Sequence, residues 1–201
     1  MLSGILDRQK QLQKEADEVV ELLGLEPMLT RIGRPVRVGS SAMGLMVSRD
    51  IDITVICERL DADTLKGFSE IGAKLMQLDK HVVCVRFRND TGPWNAAPGV
   101  YPDGLYLWLS LCTSDGCEWT VDIWVVDQPE KQPDLTHLRT LMPRITDEHR
   151  EVILRIKQEL VDRECCAGAR VSSALVYDAV IDKGIREIIA FDAWLISRQG
   201  Q

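Results

Sequence analysis

Two aspartates in one short apolar run, Asp50 and Asp52, constrain this chain more than any other feature. In a β-strand alternate side chains point to opposite faces, so both carboxylates project from one face while Ile51 and Ile53 point to the other. Two neighbouring carboxylates repel each other and cost stability unless a cation lies between them. Oxygen ligands of this kind suit a hard divalent ion such as Mg²⁺. The run therefore predicts a strand over 50–57 that carries a metal site.

A glycine-serine turn precedes this strand. A short predicted strand, 35–39, leads into this turn, Gly39-Ser40, and a brief predicted helix, 41–47, comes after it. Backbone N–H groups at the start of a helical segment are well placed to bind a phosphate. A metal site and a phosphate site so close in sequence together indicate phosphoryl-group chemistry.

A third carboxylate stands alone in a later apolar run, 119–126. Alternation along this run places Asp122 on the opposite face from its apolar neighbours. A carboxylate that is buried in a sheet needs a partner, and the metal site of Asp50 and Asp52 supplies one. Three carboxylates can hold two divalent ions, which stabilise the attacking and leaving oxygens of a phosphoryl transfer. The three aspartates are therefore expected to converge on one face of a sheet.

Hydrophobic periodicity and turn residues predict the remaining elements. Gly24 is placed to end the first helix, and Ser172 is placed to cap a helix near the C-terminus. Helices are predicted over 3–23, 61–78, 147–163, 173–183 and 185–197, and further strands over 81–88, 104–112 and 118–126.

A long loop, 89–103, separates two of the predicted strands. Loops of this length in a compact domain are either functional or poorly ordered. Trp94 and Tyr101 suit stacking on a base or a sugar-like acceptor, but aromatic residues also pin loops to the body of a protein. The sequence leaves both interpretations open.

Gly39-Ser40, Asp50-Ile51-Asp52 and Asp122 resemble the signature of the DNA polymerase beta-like nucleotidyltransferase superfamily. The resemblance covers roughly residues 1–127, and the members closest in size are the small minimal and antibiotic-modifying nucleotidyltransferases. It implies an α+β fold: a nucleotidyltransferase-type mixed β-sheet with helices on one face, followed by a small C-terminal helical region.

The domain prediction follows from this resemblance and from the prolines after the last strand. It places a nucleotidyltransferase-like core at 1–130, a Pro-containing linker at 131–144 and a C-terminal helical region at 145–201. The apolar stripes of the C-terminal helices must pack on the core, on each other or on a second subunit. A homodimer through these helices is therefore one expectation.

The resemblance also implies a role for each carboxylate. Asp50 and Asp52 would ligate both metal ions, and Asp122 the catalytic one. Asp122 would also help to remove the proton of the attacking hydroxyl. The expected cofactor is Mg²⁺ or Mn²⁺.

For the nucleotide, the resemblance implies that Gly39 and Ser40 hold the β- and γ-phosphates, and Ser41 and Arg49 are assigned to the same site. Arg49 stands where many members of the superfamily have serine. The sequence does not choose among three candidate triphosphate arginines: Arg37, Arg49 and Arg88.

The predicted reaction transfers a nucleoside monophosphate from an NTP, with ATP expected, to a hydroxyl of a small molecule or protein, and releases pyrophosphate. The alternative is a non-catalytic nucleotide-binding or partner-binding protein of the same fold, such as one subunit of a two-component module. The net charge of -7 argues against long nucleic acids as partners, and so disfavours modification of nucleic-acid ends. No apolar run reaches the length of a membrane span and no signal-peptide pattern is present, so a cytoplasmic protein is expected.

Overall fold

The computed structural model describes residues 2–167 and 171–199. Met1, residues 168–170 and the last two positions of the predicted C-terminal region lie outside the described residues. The strands are β1 (Arg34–Val38), β2 (Asp50–Ile56), β3 (Val82–Asp90), β4 (Gly104–Cys112) and β5 (Glu118–Val126). The helices are α1 (Leu2–Leu22), α2 (Leu25–Leu29), α3 (Gly39–Met43), α4 (Ala62–Met76), α5 (Pro133–Leu141), α6 (Asp147–Ala167), α7 (Ser173–Tyr177) and α8 (Ile188–Gln199).

The five strands form one mixed sheet in the order β1-β2-β5-β4-β3. β2 and β5 run parallel, and the other neighbouring pairs are antiparallel. Along most of β2 and β5, buried apolar residues alternate with half-buried residues, and the half-buried set includes all three aspartates. The sheet therefore has one apolar face and one polar face, and all three aspartates lie on the polar one.

α1, α2 and α4 cover the apolar face of the sheet and form the main core with it. Leu12, Leu25 and Phe68 represent the three helices in this core, and each is at most 2% exposed. This arrangement confirms the predicted fold class, a mixed sheet with helices packed on one face and a helical region after it. Among the described residues, no helix is both long and apolar enough to cross a membrane.

The helices after β5 form a second core cluster that includes α3 and the chain just beyond it. Met43 and Leu45 pack there with Ile153, Ile156 and Val176. The packing joins the Gly-Ser turn to α6 and α7, so these helices lie beside the polar face of the sheet. The predicted homodimer stays a prediction.

Several helix boundaries depend on local backbone geometry. Gly24 adopts φ +60°, which ends α1 as predicted, and Ser172 accepts a hydrogen bond from the backbone N–H of Ala174 at 3.3 Å. Sequence periodicity missed α2, which is only five residues long. The helix predicted over 173–183 begins as α7 and continues as a π-helical segment over Asp178–Asp182.

The segment 131–144 does not have the conformation predicted for a linker. It contains α5, and Pro133 occupies the first turn of that helix. Proline is tolerated there because the first N–H groups of a helix have no partner within the helix. The prolines mark helix starts in this segment, and the domain boundaries drawn from them stay a prediction.

The loop between β3 and β4 is held to the body of the protein. The Asp103 carboxylate accepts hydrogen bonds from the Gly92 N–H at 2.9 Å and the Asn95 amide at 3.1 Å. Tyr101 stacks on Trp124 with ring centroids 5.9 Å apart. Tyr101 therefore pins the loop, whereas Trp94 is 70% exposed.

Candidate active site

Asp50, Asp52 and Asp122 converge on the polar face of the sheet. One carboxylate oxygen from each lies within 4.8 Å of the others. The parallel pairing of β2 and β5 produces this geometry, because it sets Asp52 directly opposite Asp122. Asp50 lies two residues before Asp52 in β2, so the alternation of side chains along the strand places it on the same face. The predicted convergence is confirmed, while the role of each aspartate stays a prediction.

The charge of this cluster is costly without a cation. Burial raises the pKa of Asp52 well above its usual range, and the neighbouring Asp50 and Asp122 carboxylates raise it further. Two hydroxyl groups hold the other carboxylates: Thr120 donates to Asp50 at 2.6 Å, and Tyr106 donates to Asp122. An all-oxygen set of three crowded carboxylates fits a hard divalent ion such as Mg²⁺ or Mn²⁺.

Gly39 packs directly against this cluster. It adopts φ +64°, a conformation that residues with a side chain rarely adopt. A Cβ atom at this position would also collide with the Asp52 carboxylate. The glycine of the Gly-Ser turn is thus required twice, for its backbone conformation and for the close approach of the turn to Asp52.

A cleft of about 640 Å³ opens over two of the carboxylates. Gly39, Ser40, Asp50 and Asp52 line one side of it. The opposite side is formed by α6, α7 and the residues that precede α7. The polar residues that line this opposite side of the cleft are Lys157, Ser172, Ser173 and Tyr177.

Lys157 places a buried positive charge in this cleft. Its side chain is only 7% exposed, and its Nζ donates to the Leu45 carbonyl at 2.7 Å. The Tyr177 hydroxyl lies 3.5 Å from the same nitrogen. Lys157 also lowers the pKa of Asp52, although burial and the other carboxylates outweigh this effect. The sequence carried a signal for this residue: a lone lysine on the apolar stripe of the helix predicted at 147–163.

Two further titratable residues, Asp134 and His137, reach the cleft from α5. Burial raises the pKa of Asp134, and His137 opposes this effect. Asp134 in turn contributes to the raised pKa of Asp52. Sequence reasoning missed both residues because it treated their segment as a linker.

The predicted nucleotide-binding residues divide into two groups. Gly39 and Ser40 line the cleft. Ser41 is buried, and its hydroxyl donates to the Val38 carbonyl at 3.3 Å. Arg49 is paired with Glu15 of α1 at 3.1 Å. The structure therefore brings the Gly-Ser pair to the cleft, and turns Ser41 and Arg49 toward partners elsewhere.

The other two candidate arginines also have partners. Arg37 pairs with Asp17 at 2.5 Å, and Arg88 pairs with Asp90 at 2.6 Å. Arg88 additionally stacks over the Tyr106 ring, with the guanidinium carbon 4.6 Å from the ring centroid. Arg88 thus contacts Tyr106, the side chain that is hydrogen-bonded to Asp122.

We expect Tyr106→Phe to weaken Mn²⁺ binding about tenfold or more, because a hydrogen bond to a charged group contributes roughly 1.5–3 kcal/mol and here orients the Asp122 carboxylate. Calorimetric titration with Mn²⁺ measures this. Tyr101→Phe is the matched control, since that ring stacks on the same face of the sheet. Equal Mn²⁺ affinities in the two variants would show that Tyr106 does not position Asp122.

Comparisons with known proteins establish the fold. No model of a known protein family matches the sequence, and no curated protein matches it either. Among solved structures, a mutant of Cid1 poly(U) polymerase bound to MgATP superimposes with a TM-score of 0.56 and 16% identity over 89% of this chain and 54% of that one. Cid1 in complex with the UTP analogue UMPNPP gives a TM-score of 0.53 and 13% identity over 89% of this chain and 52% of that one.

The chain spans about half the length of these Cid1 structures. At such low identity the similarity concerns the fold alone, and it agrees with the nucleotidyltransferase-type fold that the sequence predicted.

Proposed function

We propose that this chain is a metal-dependent nucleotidyltransferase that transfers a nucleoside monophosphate from an NTP to a hydroxyl acceptor and releases pyrophosphate. The observation that carries the proposal is the convergence of Asp50, Asp52 and Asp122 beside a cleft that contains the buried Lys157. A carboxylate cluster with a nearby fixed cation is suited to holding a metal-bound triphosphate. The nucleotide-bound Cid1 structures of the same fold support this interpretation.

Asp50, Asp52 and Asp122 are the residues that would hold the metal. A divalent ion at these carboxylates would neutralise the charge that develops on the phosphoryl oxygens. Asp52 is expected to exchange a proton for the ion, since burial and the neighbouring carboxylates raise its pKa. Magnesium is the expected ion, with manganese as a substitute.

The cleft offers partners for the triphosphate on both sides. The Gly-Ser turn contributes Ser40, and α6 contributes the ammonium group of Lys157. Buried ammonium groups bind phosphate oxygens strongly because little water competes with them. Tyr177, which lies at the same wall, is only 3% exposed, and its hydroxyl lies 3.5 Å from the Lys157 nitrogen, so it helps to hold the ammonium group in place. ATP remains the expected nucleotide.

Asp122 is the proposed proton acceptor for the attacking hydroxyl. It belongs to the carboxylate cluster but does not line the cleft. A group that removes the acceptor proton must face the acceptor, which approaches from the side opposite the leaving pyrophosphate. The position of Asp122 at the far side of the cluster from the cleft agrees with this role.

Pyrophosphate release, measured with each of the four NTPs in Mg²⁺ and in EDTA, tests the proposal. We expect release only with Mg²⁺ or Mn²⁺. Lys157→Met should weaken Mg-NTP binding about tenfold or more, because a hydrogen bond to a charged group contributes roughly 1.5–3 kcal/mol. Lys80→Met, at an exposed turn, is the matched control.

Two results would decide against the proposal. Binding of Mg-NTP without pyrophosphate release for any acceptor would favour the non-catalytic nucleotide-binding protein. Absence of Mg-NTP binding would exclude both the nucleotidyltransferase and the non-catalytic nucleotide-binding protein.

A further inference from the structure

One guanidinium group of α6 holds the end of the short helix that follows the Gly-Ser turn. Nη1 of Arg150 donates hydrogen bonds to two consecutive carbonyl groups, that of Met43 and, at 2.8 Å, that of Gly44. These carbonyls lie at the end of α3, and the last carbonyl groups of a helix have no partner within the helix. A guanidinium nitrogen carries two N–H groups, so a single nitrogen of Arg150 satisfies both carbonyls.

The backbone of the turn is shaped to receive this guanidinium group. Gly44 adopts φ +66°, and a Cβ atom at this position would lie only 2.6 Å from Nη1 of Arg150. The amide nitrogen of the buried Gln9, on α1, would lie 3.5 Å from the same Cβ atom. Glycine at position 44 therefore permits both the left-handed backbone conformation and the close approach of α6.

The stretch of chain that Arg150 holds also fixes Ser40. The backbone N–H groups of Gly44 and Leu45 both donate to the Ser40 carbonyl, the second at 2.9 Å. The Leu45 carbonyl in turn accepts a hydrogen bond from Lys157, about two helical turns along α6 from Arg150. Two cationic side chains of one helix thus hold three consecutive carbonyl groups beside the residue that lines the cleft.

Arg150 acts on the cleft only through this backbone. It does not belong to the described residues that line the cleft, whereas Ser40 and Lys157 line its two sides. Without the guanidinium group, two carbonyls beside the buried Met43 and Leu45 would lose their donor. Buried carbonyls that lose a partner are costly, so the backbone would shift or admit water to satisfy them. Either change would move the Gly-Ser turn relative to Lys157.

We propose that Arg150 is a positioning residue for nucleotide binding, which sets the Gly-Ser turn at the distance from Lys157 that a metal-bound triphosphate requires. The inference rests on the proposed function, because the triphosphate is the ligand that joins the two sides of the cleft. The three aspartates stand on β2 and β5, which pair directly with each other. Arg150 therefore affects the binding of the phosphates and not the binding of the metal ion alone.

Calorimetric titration of the full chain with the Mg²⁺ complex of a non-hydrolysable ATP analogue tests the proposal. We expect Arg150→Met to bind this complex about tenfold or more weakly, because a shift of about 1 Å in a binding group costs up to a hundredfold. Its affinity for Mn²⁺ alone should not change. Arg155→Met, on the exposed face of the same helix, is the charge-matched control and should change neither affinity. Arg150→Lys retains N–H donors and should bind the complex more tightly than Arg150→Met.

A double substitution separates positioning from a general loss of structure. If Arg150 acts by setting the turn relative to Lys157, Arg150→Met should weaken binding less in a Lys157→Met background than in the wild type. Gly44→Ala disturbs the same contact from the side of the turn and carries the test if Arg150→Met does not fold. Its control is Gly24→Ala, since Gly24 has φ +60° but a Cβ atom there would meet nothing within 4 Å.

These measurements also distinguish the inference from the proposed function. If the wild type binds the magnesium complex and Arg150→Met binds it equally well, the inference fails and the proposed function stands. A parallel loss of Mn²⁺ affinity, or an equal loss of nucleotide affinity with and without Lys157, would show a general structural role and would overturn the inference as well. Failure of the wild type to bind the complex would reject the proposed function itself.

Discussion

Replacing Asp52 with asparagine should abolish metal-dependent transfer, with a loss of about a thousandfold or more in turnover, because one ligand of the proposed metal site is removed. In EDTA, the same variant should be more resistant to heat than the wild type. Asparagine retains the shape of the side chain but not the charge that Asp50 and Asp122 repel. Glu118→Gln, on β5 and exposed, is the matched control and should change neither property.

The raised pKa of Asp52 also predicts a pH dependence for the metal-free protein. The folded state binds a proton at Asp52 more tightly than the unfolded chain does. Asp52 therefore stabilises the folded state at pH values below the pKa that it has in the unfolded chain. This contribution is lost as the pH rises through the higher pKa that Asp52 has in the folded state. Thermal unfolding in EDTA across pH 4 to 8 should show this loss in the wild type and a smaller loss in Asp52→Asn. If Asp52→Asn were less stable than the wild type at every pH tested, Asp52 would have structural partners instead.

Substituting Gly39 with alanine should both destabilise the fold and weaken metal binding. A residue with a side chain costs roughly 1–2 kcal/mol in this left-handed conformation, which corresponds to a fall in Tm of about 2–8 °C for a chain of this size. The new Cβ atom would also displace the Asp52 carboxylate. Differential scanning calorimetry and Mn²⁺ titration measure the two effects.

Gly92→Ala separates the two causes. Gly92 has a similar backbone conformation, with φ +51°, but a Cβ atom there would meet nothing within 4 Å. It should therefore show only the conformational cost and retain wild-type Mn²⁺ affinity. Equal effects of the two substitutions on Mn²⁺ binding would show that the close approach of Gly39 to Asp52 does not matter.

The carboxylate cluster was predictable because it depends on simple periodicities. Alternation along the strand places the side chains of Asp50 and Asp52 on one face. Asp122 is a lone charged residue in an apolar strand, so its side chain is expected on the polar face as well. The Gly-Ser turn was predictable for a similar reason, since glycine and serine mark it locally. These features require only that the two strands pair, which the parallel register of β2 and β5 confirms.

The rest of the site depends on contacts between distant parts of the chain. Arg49 is paired with Glu15, which lies 34 residues away, so no local pattern could show that it turns from the cleft. Lys157 reaches the cleft only because α6 packs beside the Gly-Ser turn. Asp134 was missed for another reason, because prolines suit both linkers and helix starts.

Calorimetric titration with a non-hydrolysable ATP analogue tests most directly whether the three aspartates bind a nucleotide through a divalent ion. The wild-type protein is expected to bind the analogue in Mg²⁺ and to lose this binding in EDTA, and Asp50→Asn should lose it in both conditions. Equal affinity of the wild type in Mg²⁺ and in EDTA, or unchanged binding by Asp50→Asn in Mg²⁺, would contradict the account.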